Sequence, residues 1–218
     1  MGKFKAALFD LDGTLFDTEG QYTVIWGKIA RRFRPDIPNL EYIIKGTTLT
    51  QIFERYFPDA EVQKQIFDII NEEEANMHYD FVEGARAFLD DLKAHGVKCA
   101  VVTSSNTIKM NSVARQMPEF STLFDRVLTA EDFKASKPDP DCYLLGARVF
   151  GCQLDECIVF EDALTGLQAG MSSGIYTIGL ATTRTKEEIA DKCHHVIDNF
   201  IGLNYESCQQ LLTQTPRP

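Results

Sequence analysis

Two aspartates separated by one residue stand near the start of the chain, in the stretch Phe9-Asp10-Leu11-Asp12-Gly13-Thr14-Leu15. They follow a short apolar run, residues 6–9, that predicts a buried strand. Carboxylates this close repel each other, and the end of an apolar strand solvates them poorly. A divalent cation would compensate their charge. A reaction that needs one ionised carboxylate and a neighbouring proton carrier would explain why both are present.

Two other interpretations of this pair involve no catalysis. Aspartate is a common turn residue, and the pattern D-x-D-G also opens a calcium-binding loop. That loop needs glycine at its sixth position and glutamate at its twelfth, where this chain has Leu15 and Gln21, so the calcium loop is excluded. On these residues alone, a turn and a site both remain open.

The remainder of the chain divides into a helical stretch and an alternating one. Apolar residues recur at helical spacing between residues 17 and 80, with no strand pattern among them. From Phe81 onward, predicted strands at 97–102, 126–129, 157–160 and 175–178 alternate with helices, including those at 84–95, 140–150 and 163–171. This alternation predicts an α/β fold with a doubly wound, Rossmann-like parallel sheet. Because the first strand belongs to the same sheet, we expect a core of residues 1–16 and 81–218, interrupted by an inserted α-helical cap at 17–80.

Polar side chains follow several predicted strands at the point where each strand ends. Ligands of open α/β sheets bind beyond the carboxyl ends of the strands, so these side chains should meet. Carboxylates from two strands suit Mg²⁺, whereas hydroxyls and a lysine suit a phosphate. The pattern therefore predicts a phosphoryl-transfer site. Besides Asp10 and Asp12, its members are Thr103, Ser104, Ser105, Asn106, Lys137, Glu161 and Asp162.

Each of these later residues also has a purely structural explanation. Thr103, Ser105 or Asp162 could cap a helix, Pro140 could begin one, and Lys137 could be a solvated loop residue. Their joint convergence on one edge of the sheet is what favours a site.

Composition argues against several classes of function. With 22 Lys and Arg against 32 Asp and Glu, the net charge is -10, so no general affinity for nucleic acid or anionic membranes is expected. No apolar run approaches the roughly 18 residues of a membrane span, and the N-terminus lacks an apolar signal segment, so we expect a cytoplasmic protein. The six cysteines form no C-x-x-C pair and are interpreted as structural thiols. The adjacent His194 and His195 are interpreted as an edge or loop pair rather than metal ligands.

Taken in order, the segments Asp10-x-Asp12-Gly13-Thr14, Thr103, Lys137-Pro138 and Glu161-Asp162 resemble the four motifs of the haloacid dehalogenase-like hydrolases. The resemblance covers nearly the whole chain. The helical insertion after the first motif is similar to the cap of the β-phosphoglucomutase-like and phosphatase branch. The aspartate at position 10 implies phosphate chemistry rather than dehalogenation.

The resemblance implies roles for the acidic residues. Asp10 would attack phosphorus and form an aspartyl phosphate, and Asp12 would protonate the leaving oxygen and then activate water. Mg²⁺ would be held by the Asp10 carboxylate, the Asp12 backbone carbonyl and Asp162. Glu161 would act through water or from behind these ligands.

The resemblance also implies a phosphate cradle. Thr103, the backbone amide of Ser104 and Lys137 would hold the phosphate oxygens as charge moves in the transition state. Ser105 and Asn106 are further candidates to contact the substrate. Lys137 would in addition screen the crowded carboxylates.

The cap should decide the substrate, because it closes over the core and contacts the leaving group. Glu19, Tyr22, Lys45, Gly46 and Thr47 are the candidates to line its side of the site. The resemblance places Tyr22 where β-phosphoglucomutases carry a histidine. No arginine follows Lys45-Gly46, so the charge that would grip a second phosphate is missing.

We therefore expect a Mg²⁺-dependent phosphatase for a small phosphorylated metabolite, a sugar phosphate being one candidate. A β-phosphoglucomutase-type phosphosugar mutase is the alternative. A non-catalytic phosphate-binding module is a third possibility, but it would require a broken motif, and all four motifs are intact. We expect a monomer, because the cap must swing, and neither nucleic acid nor a membrane as a partner.

Overall fold

The computed structural model describes residues 3–45, 47 and 49–214, and it confirms the α/β fold predicted from the sequence. Six strands form one sheet in the order β3-β2-β1-β4-β5-β6, and every pair of neighbours is parallel. The strands are β1 (Ala6–Phe9), β2 (Lys98–Val102), β3 (Arg126–Leu128), β4 (Cys157–Glu161), β5 (Tyr176–Leu180) and β6 (His195–Ile197). The chain builds outward from β1 in both directions, so the gap between the ends of β1 and β4 is where such sheets bind ligands.

The helices cover both faces of this sheet, and five of them precede β2. They are α1 (Glu19–Phe33), α2 (Leu40–Ile43), α3 (Leu49–Tyr56), α4 (Ala60–Glu74), α5 (Ala85–Ala94), α6 (Thr107–Gln116), α7 (Phe120–Leu123), α8 (Asp141–Val149), α9 (Leu164–Ser172), α10 (Lys186–Ile189) and α11 (Tyr205–Gln214). None of those in the described part of the chain is both long enough and apolar enough to cross a membrane.

Burial on both faces explains why the strands are continuous apolar runs. In β1, Ala7 and Phe9 pack into a cluster with α5, α6 and α11, whereas Ala6 and Leu8 pack into a second cluster with α8 and α9. Successive side chains of a strand point to opposite faces, so a strand covered on both sides needs an apolar residue at every position.

An aromatic cluster lies directly beneath the acidic ends of β1 and β4. The rings of Phe9 and Phe160 stack with centroids 4.7 Å apart, and Phe88 from α5 lies 5.4 Å from Phe160 and 5.4 Å from Phe200. Phe9 immediately precedes Asp10, and Phe160 immediately precedes Glu161. Each carboxylate therefore follows a closely packed ring directly in sequence, and the packing of these rings holds the two strand ends in fixed positions.

Residues 17–80, called the helical segment from here on, contain α1 to α4 and, among the described residues, no strand. The chain leaves and re-enters the core through two adjacent connections. Phe16 pairs with Phe81, and the amide of Asp17 donates to the carbonyl of Asp80 at 2.9 Å. The two covalent connections between the helical segment and the core therefore lie side by side.

The last part of the sheet was not predicted. Strand β6 has only three residues, which is too short to show a period, and it is partly exposed at the edge of the sheet. His195 begins this edge strand, in agreement with its interpretation as an edge residue. All six cysteines carry free thiols, as the sequence predicted.

Replacing Phe88 by alanine should destabilise the protein by about 3–5 kcal/mol, because it removes a ring from the centre of the aromatic cluster and leaves a cavity. Urea denaturation of the purified protein measures this change. Phe67→Ala in α4 is the matched control, because Phe67 is partly exposed and its loss should cost less than about 1 kcal/mol. Equal losses for the two variants would contradict the packing described here.

Candidate active site

Three carboxylates and one lysine meet where β1 and β4 end. Asp10 follows β1, Glu161 is the last residue of β4 and Asp162 comes next; one oxygen from each lies within 4.8 Å of the others. Lys137, from the loop before α8, lies among them, with Nζ 2.5 Å from Oδ1 of Asp10 and 2.7 Å from Oε1 of Glu161. All four side chains are buried. These four residues are called the acid cluster.

Two glycines make room for the carboxylates. Gly13 has a φ of 79°, which favours glycine, and a Cβ at this position would collide with Oδ2 of Asp162. A Cβ at Gly166, in the first turn of α9, would collide with the carboxylate of Glu161. The cluster can be this tight only because both positions lack a side chain.

The two acids at the end of β4 have different partners. Oε1 of Glu161 accepts from Lys137 and from the hydroxyl of Tyr143 at 3.1 Å, and Oε2 accepts from the amides of Asp162 and Ala163 at 2.8 and 2.9 Å. Because both oxygens are occupied by protein donors, Glu161 is better suited to anchor Lys137 than to bind a metal directly.

Among the described residues, the carboxylate of Asp162 accepts hydrogen bonds from hydroxyl groups only. Thr14 donates to its Oδ1 at 2.7 Å, and Thr183, from the loop after β5, donates to its Oδ2. Hydroxyls orient a carboxylate without supplying the positive charge that would neutralise it. Asp162 is therefore positioned by its neighbours but left electrostatically uncompensated.

Burial and crowding shift the pKa values of this cluster. The pKa of Asp10 is raised to about 7, mainly by burial; Lys137 opposes this rise and repulsion from Glu161 contributes to it. The pKa of Asp162 is raised well above its usual value, again mainly by burial, with repulsion from Glu161 and Asp10 added. Burial alone would lower the pKa of Lys137, but Asp10 and Glu161 outweigh it and raise the pKa.

The charges of the cluster do not balance within the protein. When all three carboxylates are ionised, they face one ammonium group, so two buried negative charges have no compensating cation among the described residues. A small cation that prefers oxygen ligands would remove this excess, and carboxylate oxygens are the ligands of Mg²⁺. The residues present therefore fit a magnesium ion, with Asp10 and Asp162 as its side-chain ligands.

Asp12 lies on the same loop as Asp10, but its side chain has different surroundings. Its Oδ1 accepts from the hydroxyl of Thr18 at 2.8 Å, and its Oδ2 accepts from Ser105 at 3.2 Å and from Lys109. Its side chain is 20% exposed, and its donors come from the start of the helical segment and from the turn and helix after β2 rather than from the acid cluster. The two aspartates of the motif therefore lie in different environments.

Of the polar residues 103–106 that follow β2, only some lie at the site. Thr103 is buried, and its Oγ1 accepts from the amide of Ser105 at 3.0 Å, which shapes the turn. Ser105 reaches Asp12, whereas Asn106 caps α6 by accepting from the amide of Lys109 at 2.9 Å. Ser104 is exposed. The residue that caps α6 is therefore Asn106 rather than Thr103 or Ser105, and phosphate binding by the four residues remains a prediction.

The candidates in the helical segment line one small cavity. Glu19, Tyr22, Lys45 and Thr47 surround a space of about 110 Å³, in which Nζ of Lys45 lies 3.3 Å from Oε2 of Glu19. Tyr22 turns its hydroxyl towards Glu74 and donates to it at 2.7 Å. Gly46 lies outside the described residues.

Three contributing residues were missed from the sequence. Thr183 follows β5, and applying the rule of strand ends to that strand would have found it. Tyr143 and Lys109 lie inside helices, where nothing in their spacing distinguishes them from packing or surface residues. Their contacts arise only when distant parts of the chain come together.

Comparison with known proteins adds a family and a fold. Residues 7–180 match the family model described as haloacid dehalogenase-like hydrolase. Hexitol phosphatase A of Escherichia coli (strain K12) is 34% identical over 188 residues, which are 81% of this chain and 82% of that protein. Protein SUPPRESSOR OF QUENCHING 1, chloroplastic, of Arabidopsis thaliana is 26% identical over 92% of this chain, which spans only 20% of that protein.

The same architecture occurs among solved structures. The crystal structure of HAD hydrolase, family IA, variant 3 from Entamoeba histolytica HM-1:IMSS has a TM-score of 0.85 to this chain at 24% identity. The match covers 96% of this chain and 100% of that one. At this identity, the likeness concerns the fold.

Mg²⁺ should stabilise the protein more at pH 8 than at pH 5. The pKa of Asp10 is raised by burial from 3.8 to about 7, so the stabilisation from its protonated form is present below about pH 4 and lost as the pH rises through 7. At pH 8 a bound metal would offset the repulsion among the ionised carboxylates, whereas at pH 5 it must displace a proton from Asp10. At about 100-fold excess over its dissociation constant, we expect a Tm increase on the order of 5–10 °C at pH 8.

Thermal melts at both pH values, with and without the metal, measure this effect. Asp162→Asn keeps the size of the side chain but removes one metal ligand, so it should abolish most of the increase. Equal increases at pH 5 and pH 8 would contradict a site made from these carboxylates.

Proposed function

The chain belongs to the haloacid dehalogenase-like hydrolases and is an enzyme of the phosphatase class, and we propose that it hydrolyses a small phosphate monoester through an aspartyl phosphate on Asp10. The observation that carries this proposal is the acid cluster. In it, Asp10 is buried against Lys137 at the ends of β1 and β4, with a separate carboxylate, Asp12, two residues further along.

Asp10 has the surroundings of a nucleophile. Lys137 binds its Oδ1, and within the described residues Oδ2 accepts no hydrogen bond. Oδ2 would attack phosphorus, while Lys137 and Thr103 hold phosphate oxygens as their charge changes. Because Lys137 is anchored by Glu161, it would stay in place when Asp10 becomes phosphorylated.

Asp12 has the surroundings of a proton carrier. It is partly exposed and contacts the start of the helical segment, on the side from which the leaving group would depart. In the first step it would donate a proton to the leaving oxygen. In the second it would take a proton from the water that hydrolyses the aspartyl phosphate.

Mg²⁺ belongs to this proposal because the acid cluster holds two uncompensated negative charges. Asp10 and Asp162 would hold the ion, together with the backbone carbonyl of Asp12. When bound, the ion supplies positive charge that lets a phosphate dianion approach buried carboxylates.

The helical segment is proposed to act as the cap that selects the substrate. The likeness to a hexitol phosphatase favours a phosphorylated polyol or sugar. A mutase would need a cation to grip a second phosphate, but Lys45 is already paired with Glu19. Incubation with β-glucose 1-phosphate and a bisphosphate primer distinguishes the two: glucose 6-phosphate indicates a mutase, and inorganic phosphate alone indicates a phosphatase.

A panel of sugar phosphates, polyol phosphates, nucleotides and pyrophosphate, assayed for Mg²⁺-dependent phosphate release, tests the proposal. Asp10→Asn removes the nucleophile without changing the size of the side chain, so kcat should fall by about 10³-fold or more while the protein stays folded. Asp17→Asn is the control, because Asp17 is exposed on the same loop and its replacement should leave kcat unchanged. Turnover by Asp10→Asn, or no turnover by folded wild-type protein on any compound, would refute the assignment.

A further inference from the structure

A buried lysine in the core takes no part in the acid cluster. Lys109 lies in the first turn of α6, and its side chain is only 1% exposed. A lysine this deeply buried is costly unless polar partners replace the water that it has lost. Its partners therefore indicate its role.

The partners of Lys109 connect the core to the helical segment. Its Nζ donates to Oδ2 of Asp12 and, at 2.5 Å, to the hydroxyl of Tyr22 in α1. The Tyr22 hydroxyl donates in turn to Oε1 of Glu74 at the end of α4, at 2.7 Å. These four residues are called the lysine cluster. They join the loop after β1 to α6, α1 and α4.

Lys109 is the strongest restraint on the side chain of Asp12. Within the described residues, its other donors are the neutral hydroxyls of Thr18 and Ser105, and the contact with Ser105 is long, at 3.2 Å. A hydrogen bond from an ammonium to a carboxylate is about twice as strong as one between neutral groups. Lys109 therefore determines which way the carboxyl group of Asp12 points.

Exposure separates the two residues. The side chain of Asp12 is 20% exposed and can meet a ligand, whereas Lys109 lies behind it at 1%. With its Nζ enclosed by Asp12 and Tyr22, Lys109 has no open side from which to contact a substrate. Lys109 can therefore act on the reaction only through the groups that it binds, and of these Asp12 is the one that the proposed function places at the reacting atoms.

We propose that Lys109 is a positioning residue for proton transfer by Asp12, an inference that rests on the function proposed above. In that function, the proton of Asp12 passes to the leaving oxygen as its bond to phosphorus breaks and the bond from Asp10 to phosphorus forms. Water then returns a proton to Asp12 as it cleaves the aspartyl phosphate. Both transfers require the carboxyl group within hydrogen-bond reach of the reacting oxygen, and a displacement of about 1 Å costs on the order of 10²-fold.

The dependence of rate on the leaving group reveals such a role. A p-nitrophenolate departs without a proton, whereas a more basic phenolate needs one, so a misplaced acid penalises the basic leaving groups selectively. The value of kcat/KM reports the step in which the leaving group departs. Loss of a merely structural contact would lower kcat/KM for all esters alike.

The experiment compares wild type and Lys109→Met on aryl phosphates of similar shape, from p-nitrophenyl phosphate to phenyl phosphate and p-methoxyphenyl phosphate, with Mg²⁺ present. Methionine fills the space of the lysine without its charge or donors. We expect kcat/KM to fall by about tenfold or more for the basic leaving groups and by less than about threefold for p-nitrophenyl phosphate. Lys109→Arg restores a charged donor and should recover part of this difference.

Two further variants complete the design. Lys28→Met is the matched control, because Lys28 pairs with Glu73 at 2.7 Å on the surface of the helical segment and should leave the whole series unchanged. Tyr22→Phe keeps the ring beside Lys109 but removes the hydroxyl that fixes it, so it should steepen the dependence to a smaller extent. This variant tests the inference even if Lys109→Met fails to fold.

The outcomes separate this inference from the proposed function. Asp12→Asn should steepen the dependence at least as strongly as Lys109→Met. If Asp12→Asn steepens the dependence while Lys109→Met lowers kcat/KM equally for all esters, the positioning role is overturned and the proposed phosphatase function is unaffected. If Asp12→Asn leaves the slope unchanged, or wild type hydrolyses none of the esters, the role of Asp12 in the proposed function fails, and this inference fails with it.

Discussion

The structure depends on one electrostatic constraint: three carboxylates are buried around a single ammonium group. Asp10, Glu161 and Asp162 meet because β1 and β4 are adjacent parallel strands that end at the same edge. Lys137 neutralises only part of their charge. Burial of like charges is unfavourable, so the surrounding fold must hold these groups together, and the excess charge makes the site receptive to a cation.

Aromatic packing beneath the carboxylates and glycines beside them hold this cluster together. Beneath the acids, the packed rings of Phe9 and Phe160 fix the strand ends. Beside them, Gly13 and Gly166 allow an approach that no other residue would permit. A protein selected for stability alone would not bury acids on an aromatic base, and this conflict is typical of a functional site.

The two aspartates of the first motif illustrate how environment divides roles between identical side chains. Asp10 is buried beside Lys137, where burial raises its pKa to about 7. Asp12 faces the helical segment, among hydroxyls and Lys109. The loop that carries both also leads directly into the helical segment, so the proposed chemistry and the proposed cap meet within a few residues.

The sequence by itself determined the α/β fold, the parallel sheet and the membership of the acid cluster. It could do so because alternating apolar strands and helices are local patterns, and because strand ends in such sheets meet at one edge. The three-residue β6 escaped prediction, since so short a strand has no period to detect. Only the tertiary structure decided that Glu161 anchors Lys137, that Asn106 caps a helix and that Lys109 binds Asp12. The contacts of Glu161 with Lys137 and of Lys109 with Asp12 join residues 24 and 97 positions apart, and which long-range partners meet depends on how the helices pack rather than on any local spacing.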